Sequence, residues 1–438
     1  METRRGRRAW ATRTTTVPEQ QTEETLLNIT TREELINALQ EAIQVEHGLM
    51  LQYLFAAFSC KKFAEEEGLT PHQQERVRAW EGQILKVALD EMLHLGTACN
   101  LMHAIGGSPN FNRANFPQEV DKWLPFPYQL ERLTPAVMDR FVRFEAPRWA
   151  IEQAARLAPI PIEYDYVGEL YRSISVGFET VARNVDNLFV GSEVVQASSD
   201  WSRYPLSFSL FRLFGIRDVP SALEAIEFII EQGEGLSGDI EGSHYEAFLK
   251  IRDEYAAERE ADPTFDPARA VATNPLIRRH KDTDAEAEVS LIEEGTLAHD
   301  VADLFNNLYG TMLLMLFQFF DPAGETFQQR LALQTGTRRL MSMVIRPLGE
   351  VLTMLPIAEG TDRVAGATFE TYAELRLPSF VPARWVILRE RVQAGTRRCR
   401  ELADRGDVGL ERLAFLADNM DLFQKNLDDV IVHGRDAR

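Results

Sequence analysis

Along most of the chain, apolar residues recur three and four positions apart, the spacing that lines one face of a helix. Alternating apolar and polar runs, the mark of half-buried strands, are scarce. Helix punctuation falls between the periodic stretches. Thr31 with Glu34, Thr70-Pro71 with Gln73, and Ser221 with Glu224 each read as a capping box, in which two side chains reciprocally satisfy open backbone donors. Gly106-Gly107, followed by Pro109, reads as a helix stop. These signals predict helices over about 31–63, 71–105, 163–184 and, irregularly, 221–257, then about 290–320, 326–354, 381–404 and 408–432. The fold class is all-α.

The connections divide the chain. Residues 1–30 read as a disordered N-terminal arm. Residues 31–260 form a four-helix unit whose second and third helices are joined by one long crossover, "GGSPNFNRANFPQEVDKWLPFPYQLERLTP", rich in proline and aromatics. Residues 261–289, with "ADPTFDPARAVATNP" and the solvated "RRHKDTDAEAE", read as a linker, and 290–438 as a C-terminal helical domain without a ligand constellation. The most apolar stretch, "LYGTMLLMLFQFF", is too short to span a bilayer and reads as a buried helix.

Heptad steps along the first two helices expose an anomaly. The second helix gives Trp80, Ile84, Val87, Glu91, His94, Ala98, Leu101 and Ile105; the first gives Leu35, Leu39, Ala42, Glu46, Leu49, Tyr53, Ala56 and Cys60. Glu46, Glu91 and His94 therefore interrupt otherwise apolar stripes at midlength. A buried, unpaired carboxylate costs several kcal/mol unless it protonates or meets a cation. A metal is the economical explanation for both helices, because Glu-x-x-His aims two ligands to one side, and di-metal carboxylate bundles use such pairs together with single glutamates from the other helices.

The third and fourth helices supply further candidates. Glu169 shares a line with Tyr166, Ser173 and Val176, with Glu179 as a competitor. In "IIEQGEGLSGDIEGSHYEAFLKI", Glu241 and His244 form a literal Glu-x-x-His, but four glycines argue against a continuous helix, so Glu234 competes with Glu241 as the partner of His244. His47 points away from the stripe and reads as a supporting contact.

The segments "AIQVEHGLMLQYLFA", "EMLHLGTACNLMHAIGGSP", "VGELYRSI", "EQGEG", "SHYEAFLKI" and "RPLGEVLTMLP" together resemble the ferritin-like family typified by iminophenyl-pyruvate dimer synthases of violacein and rebeccamycin type. The resemblance implies a ferritin-like four-helix bundle and metal ligands at Glu46, Glu91, His94, Glu169, Glu234 and His244. It implies an oxidase, oxygenase or oxidative coupling enzyme of specialised metabolism, with O2 and a small, amino-acid-derived substrate as partners. Two rival readings are a ferroxidase or iron-handling protein and a ferritin-like scaffold without turnover. A homo-oligomer or a biosynthetic partner enzyme is compatible with each.

Charge changes the picture in two ways. A formal net charge of -20 gives nucleic acid and anionic membranes no general footing. Within the bundle, four ionised carboxylates balance two divalent ions, so two irons, or a manganese and an iron, fit a mixed oxygen and nitrogen shell. Tyr53 and the crossover aromatics Phe111, Phe116, Trp123 and Phe126 are expected to shape the substrate pocket. Three cysteines, Cys60, Cys99 and Cys399, lie far apart and indicate neither a disulfide framework nor a thiolate site, which suits a reducing cytoplasm. The arginine-bearing N-terminus lacks the apolar run of a signal peptide.

Overall fold

Two capping boxes start the first helices where the sequence places them. In the computed structural model, α1 spans Arg32–Ser59 behind Thr31 and Glu34, and α2 spans Pro71–Ala104 behind Thr70 and Gln73. The structure describes residues 27–63, 65–118, 127–151, 167–197, 213, 215–235, 240–281, 288–405 and 411–436. Residues 1–26 of the expected arm, the predicted helical residues 163–166, Trp123, Phe126 and part of the expected linker lie outside them.

The crossover between α2 and the next bundle helix carries a helix that the sequence reading lacked: α3, Pro135–Phe144, with Thr134 as N-cap and a proline in its first turn. Then come α4, Val167–Asn184, and α5, Val219–Glu234. The third predicted box is corrected here. Asp218 caps α5 and pairs with Ser221, which sits in the first turn and is not itself the cap. Pro220, with its fixed φ and missing N–H, suits the first turn, so the helix begins before Ser221. Gly235, at φ +84°, ends α5 in backbone that favours glycine. The chain resumes as α6, His244–Ala261, so the fourth bundle helix is broken, as the glycine cluster predicts.

The bundle is assembled by α1 against α2, α4 against both α1 and α5, and α2 against α5 and α6, with α3 lying on α6. Beyond it, a two-residue parallel pair joins β1, Pro275–Leu276, to β2, Ser290–Leu291. Helix therefore does not start at 290. It starts after Gly295 and the N-cap Thr296, as α7, Leu297–Phe320.

The remaining helices are α8, Phe327–Leu340, α9, Arg346–Leu352, α10, Val381–Ala403, and α11, Glu411–Asp436. A π turn at Met341–Ile345 links α8 to α9. Pro347 cannot donate to the carbonyl four residues back, and the ladder widens just before it.

From Ala42 onward α1 is buried on nearly all sides, which is the signature of a helix packed on two faces. One face is the heptad seam, whose eight positions are all buried, as are the eight on α2. The other meets the C-terminal helices. Phe58 fills the place a side chain would take at Gly349, where a Cβ would come within 2.6 Å of its ring. His47 meets the Tyr309 hydroxyl at 2.8 Å. Among the described residues, no helix is long and apolar enough to cross a membrane.

Candidate metal centre

The α1–α2 seam brings Glu46, Glu91 and His94 into the protein interior, each no more than 2% exposed. His94 Nδ1 lies 3.0 Å from Glu91 Oε2 and 3.7 Å from Glu46 Oε2. The break between α5 and α6 puts His244 in the first turn of α6, with Ser243 as its cap. His244 Nδ1 lies 3.0 Å from Glu91 Oε1 and 3.6 Å from Oε2 of Glu145, the residue that ends α3. Two groups of three potential ligands result: Glu46, Glu91 and His94, and Glu91, Glu145 and His244. Within each, the donor atoms all lie within 4.8 Å of one another. Glu91 belongs to both and gives one oxygen to each histidine.

Each group has a tyrosine on its outer carboxylate and an oxygen acceptor behind its histidine. The Tyr171 hydroxyl donates to Glu46 Oε1 at 2.6 Å, and the Tyr53 hydroxyl donates to Glu145 Oε1. His94 Nε2 lies 3.0 Å from Gln232 Oε1, and His244 Nε2 lies 3.4 Å from Asp90 Oδ2. The two imidazoles stack with centroids 5.5 Å apart. In each histidine the outer nitrogen meets an oxygen acceptor while the inner nitrogen faces the carboxylates, so with a metal bound Nε2 would keep its proton and Nδ1 would be the ligating atom.

Electrostatics expose the strain of this arrangement without a cation. Burial, reinforced by Glu91, pushes the Glu46 carboxyl up to about 8 and raises Glu145 as well. Burial also acts to raise Glu91, but His94 and His244 outweigh it and hold that carboxyl well below its ordinary range. Burial would strip the proton from His94, but Glu91 and Glu46 prevail and raise it to about 10; His244 moves in the same direction, mainly through Glu91.

Protons can thus stand in for missing positive charge. Glu46 Oε2, Glu91 Oε1 and His244 Nδ1 nevertheless have no hydrogen-bond partner of proper geometry, although they face the same centre. Buried polar atoms are rarely left so, and a mixed set of carboxylate oxygens and imidazole nitrogens fits iron or manganese. A small cavity of about 30 Å³, room enough for water, opens on Glu46, Glu91, His94, Glu145 and Glu234, with Leu49, Phe144 and Ile229 among its apolar walls.

With the helices and the buried carboxylates in place, the ferritin-like family model matches residues 39–253. This stretch is a ferritin-like bundle. Dichlorochromopyrrolate synthase of Lentzea aerocolonigenes is 29% identical to the chain, in a match covering 89% of this chain and 41% of the synthase. The 2-imino-3-(indol-3-yl)propanoate dimerase of Chromobacterium violaceum is 25% identical, covering 75% of this chain and 33% of the dimerase. The chain thus spans less than half the length of these relatives. A ferritin-like protein of Caulobacter vibrioides, known from a crystal structure, is 19% identical over 70% of this chain and 93% of its own, with a TM-score of 0.44.

Within the ferritin-like bundle, four of the six sequence-derived ligands, Glu46, Glu91, His94 and His244, come together. Glu169 and Glu234 join neither group. Glu169 is buried in the first turn of α4, with Arg148 Nη1 3.5 Å away. Glu234 lines the cavity but is paired with Arg172 at 2.6 Å. Of the competitors, Glu179 is exposed on α4 and Glu241 is exposed in the turn before α6. Val176, on the line drawn through Glu169, is exposed, and α4 reaches the centre instead through Tyr171.

Sequence reasoning missed Glu145. Thr134-Pro135, followed by apolar Val137, Met138, Phe141 and Val142, was the available signal for its helix. Tyr53 is core, packed on Phe141 and Phe248 with its hydroxyl on Glu145. Phe111 packs on Phe317 and Phe320, and Phe116 lies under Arg113; neither lines the cavity. The three cysteines are free and buried.

Proposed function

We propose that this chain is a di-metal oxidative enzyme of specialised metabolism that uses O2 on a small, amino-acid-derived substrate in a reducing cytoplasm. Glu46, Glu91 and His94 would hold one iron ion, and Glu91, Glu145 and His244 the other; a manganese and an iron would suit the same donors. The observation that carries this reading is the sharing of Glu91 between two matching sets of buried donors. The names of the relatives, a synthase and a dimerase, support oxidative coupling as the reaction class.

When bound, the two ions would supply the electrons and the open positions at which O2 is reduced. The chain's own part is positioning and exclusion. Tyr171 and Tyr53 each occupy one oxygen of an outer carboxylate and leave the other turned inward. Gln232 and Asp90 fix the imidazoles. Leu49, Phe144 and Ile229 limit the water that can share the cavity.

Anaerobic Fe(II) loading of the metal-free protein, followed by O2, tests this reading. We expect about two irons per chain, as in other di-iron carboxylate bundles, with O2 uptake on that scale, and loss of both in Glu91→Ala. Oxidation of many irons per chain would favour iron handling, and no bound iron would favour a scaffold.

A further inference from the structure

The two halves of the centre match closely in their inner contacts but not in what stands behind the histidines. His94 and His244 each place Nδ1 3.0 Å from one oxygen of Glu91, and 3.7 and 3.6 Å from Glu46 and Glu145 respectively. Each outer carboxylate is held by one tyrosine. Behind His94, however, stands the neutral amide of Gln232, while behind His244 stands the carboxylate of Asp90. Asp90 is 7% exposed, and it precedes Glu91 in the chain, so the same turn of α2 supplies the shared ligand and this support.

A carboxylate accepting the outer N–H of an imidazole makes the inner nitrogen a stronger donor than an amide does, and removing such support typically costs about 10- to 100-fold in metal affinity. It also supplies charge. Glu46, Glu91 and Glu145 carry three formal negative charges; Asp90 adds the fourth, matching two divalent ions, while Glu234 is balanced by Arg172. That fourth charge lies on the His244 side.

We infer that the two ion positions are unequal, and that Asp90 makes the position of Glu91, Glu145 and His244 the first to fill. The inference rests on the two-ion reading above, but its test separates the two. Anaerobic titration of the metal-free full chain with Co(II), followed by its visible absorption, should show two binding steps of different affinity. Asp90→Asn, which keeps shape and one acceptor oxygen, should weaken the first step about 10- to 100-fold and bring the steps together. Gln232→Glu should strengthen the second step instead. In His94→Ala the tight step should survive, and in His244→Ala only the weak one.

Two equal steps in the unsubstituted protein, or a tight step untouched by Asp90→Asn, would overturn the inference while leaving the two-ion reading in place. A tight step that survives His244→Ala and is lost in His94→Ala would also overturn it. Absence of any Co(II) binding would remove both.

Discussion

At the scale of single residues, the candidate ligands differ in how far the sequence reveals them. Glu46, Glu91 and His94 were legible because a charge or imidazole in an apolar heptad stripe is costly and demands a partner. Glu145 was not. It ends a ten-residue helix inside the crossover, and its approach to His244 depends on α3 packing against α6, which no local spacing encodes. Glu169 illustrates the converse: it is buried on α4, yet it lies beside Arg148 and outside either group of potential ligands. Substitution separates the two glutamates. Metal analysis of Glu145→Ala should show the loss of one ion per chain, whereas Glu169→Ala should retain the full complement; equal retention in both would remove Glu145 from the centre.

Helices were the most readable layer, since their caps are local. The boxes at Thr31 and Thr70 stand as predicted, while Asp218 displaces Ser221 as the cap of α5 because the preceding residues also meet the capping requirements. The joints between helices were less readable. Lys62, just beyond α1, reaches Glu81 on α2 at 2.6 Å and Glu350 on α9 at 2.8 Å, tying the bundle to the C-terminal helices. Burial alone would raise the Glu350 carboxyl, but Lys62 and then Arg346 outweigh it and lower it below its ordinary value. A carboxylate depressed in the folded state adds stability above its unfolded range, near pH 4, and that stability disappears as pH falls through the folded value. Lys62→Met should therefore cost about 1.5–3 kcal/mol at pH 7, the scale of a hydrogen bond to a charged group. In denaturant unfolding the gap from the unsubstituted protein should narrow below about pH 4; a gap constant with pH would deny Lys62 this electrostatic role.

At the scale of the whole molecule, the all-α architecture and the break in the fourth bundle helix followed from periodicity and glycine placement. The second face of α1, with Phe58 at Gly349 and His47 at Tyr309, emerged only from the assembled fold. The centre itself is buried among the bundle helices, so its occupancy should be felt by the fold. Ions that bind the folded chain and not the unfolded one stabilise it by mass action, by about 2.7 kcal/mol at one hundred times the dissociation constant. The most direct measurement is the thermal unfolding midpoint at pH 7 of the metal-free chain, with and without anaerobic Fe(II), beside a variant carrying Glu46→Gln and Glu91→Gln. The account predicts that Fe(II) raises the midpoint of the unsubstituted chain and leaves the folded double variant unmoved. An unsubstituted midpoint indifferent to Fe(II), or an equal rise in both proteins, would contradict a metal centre built on Glu91.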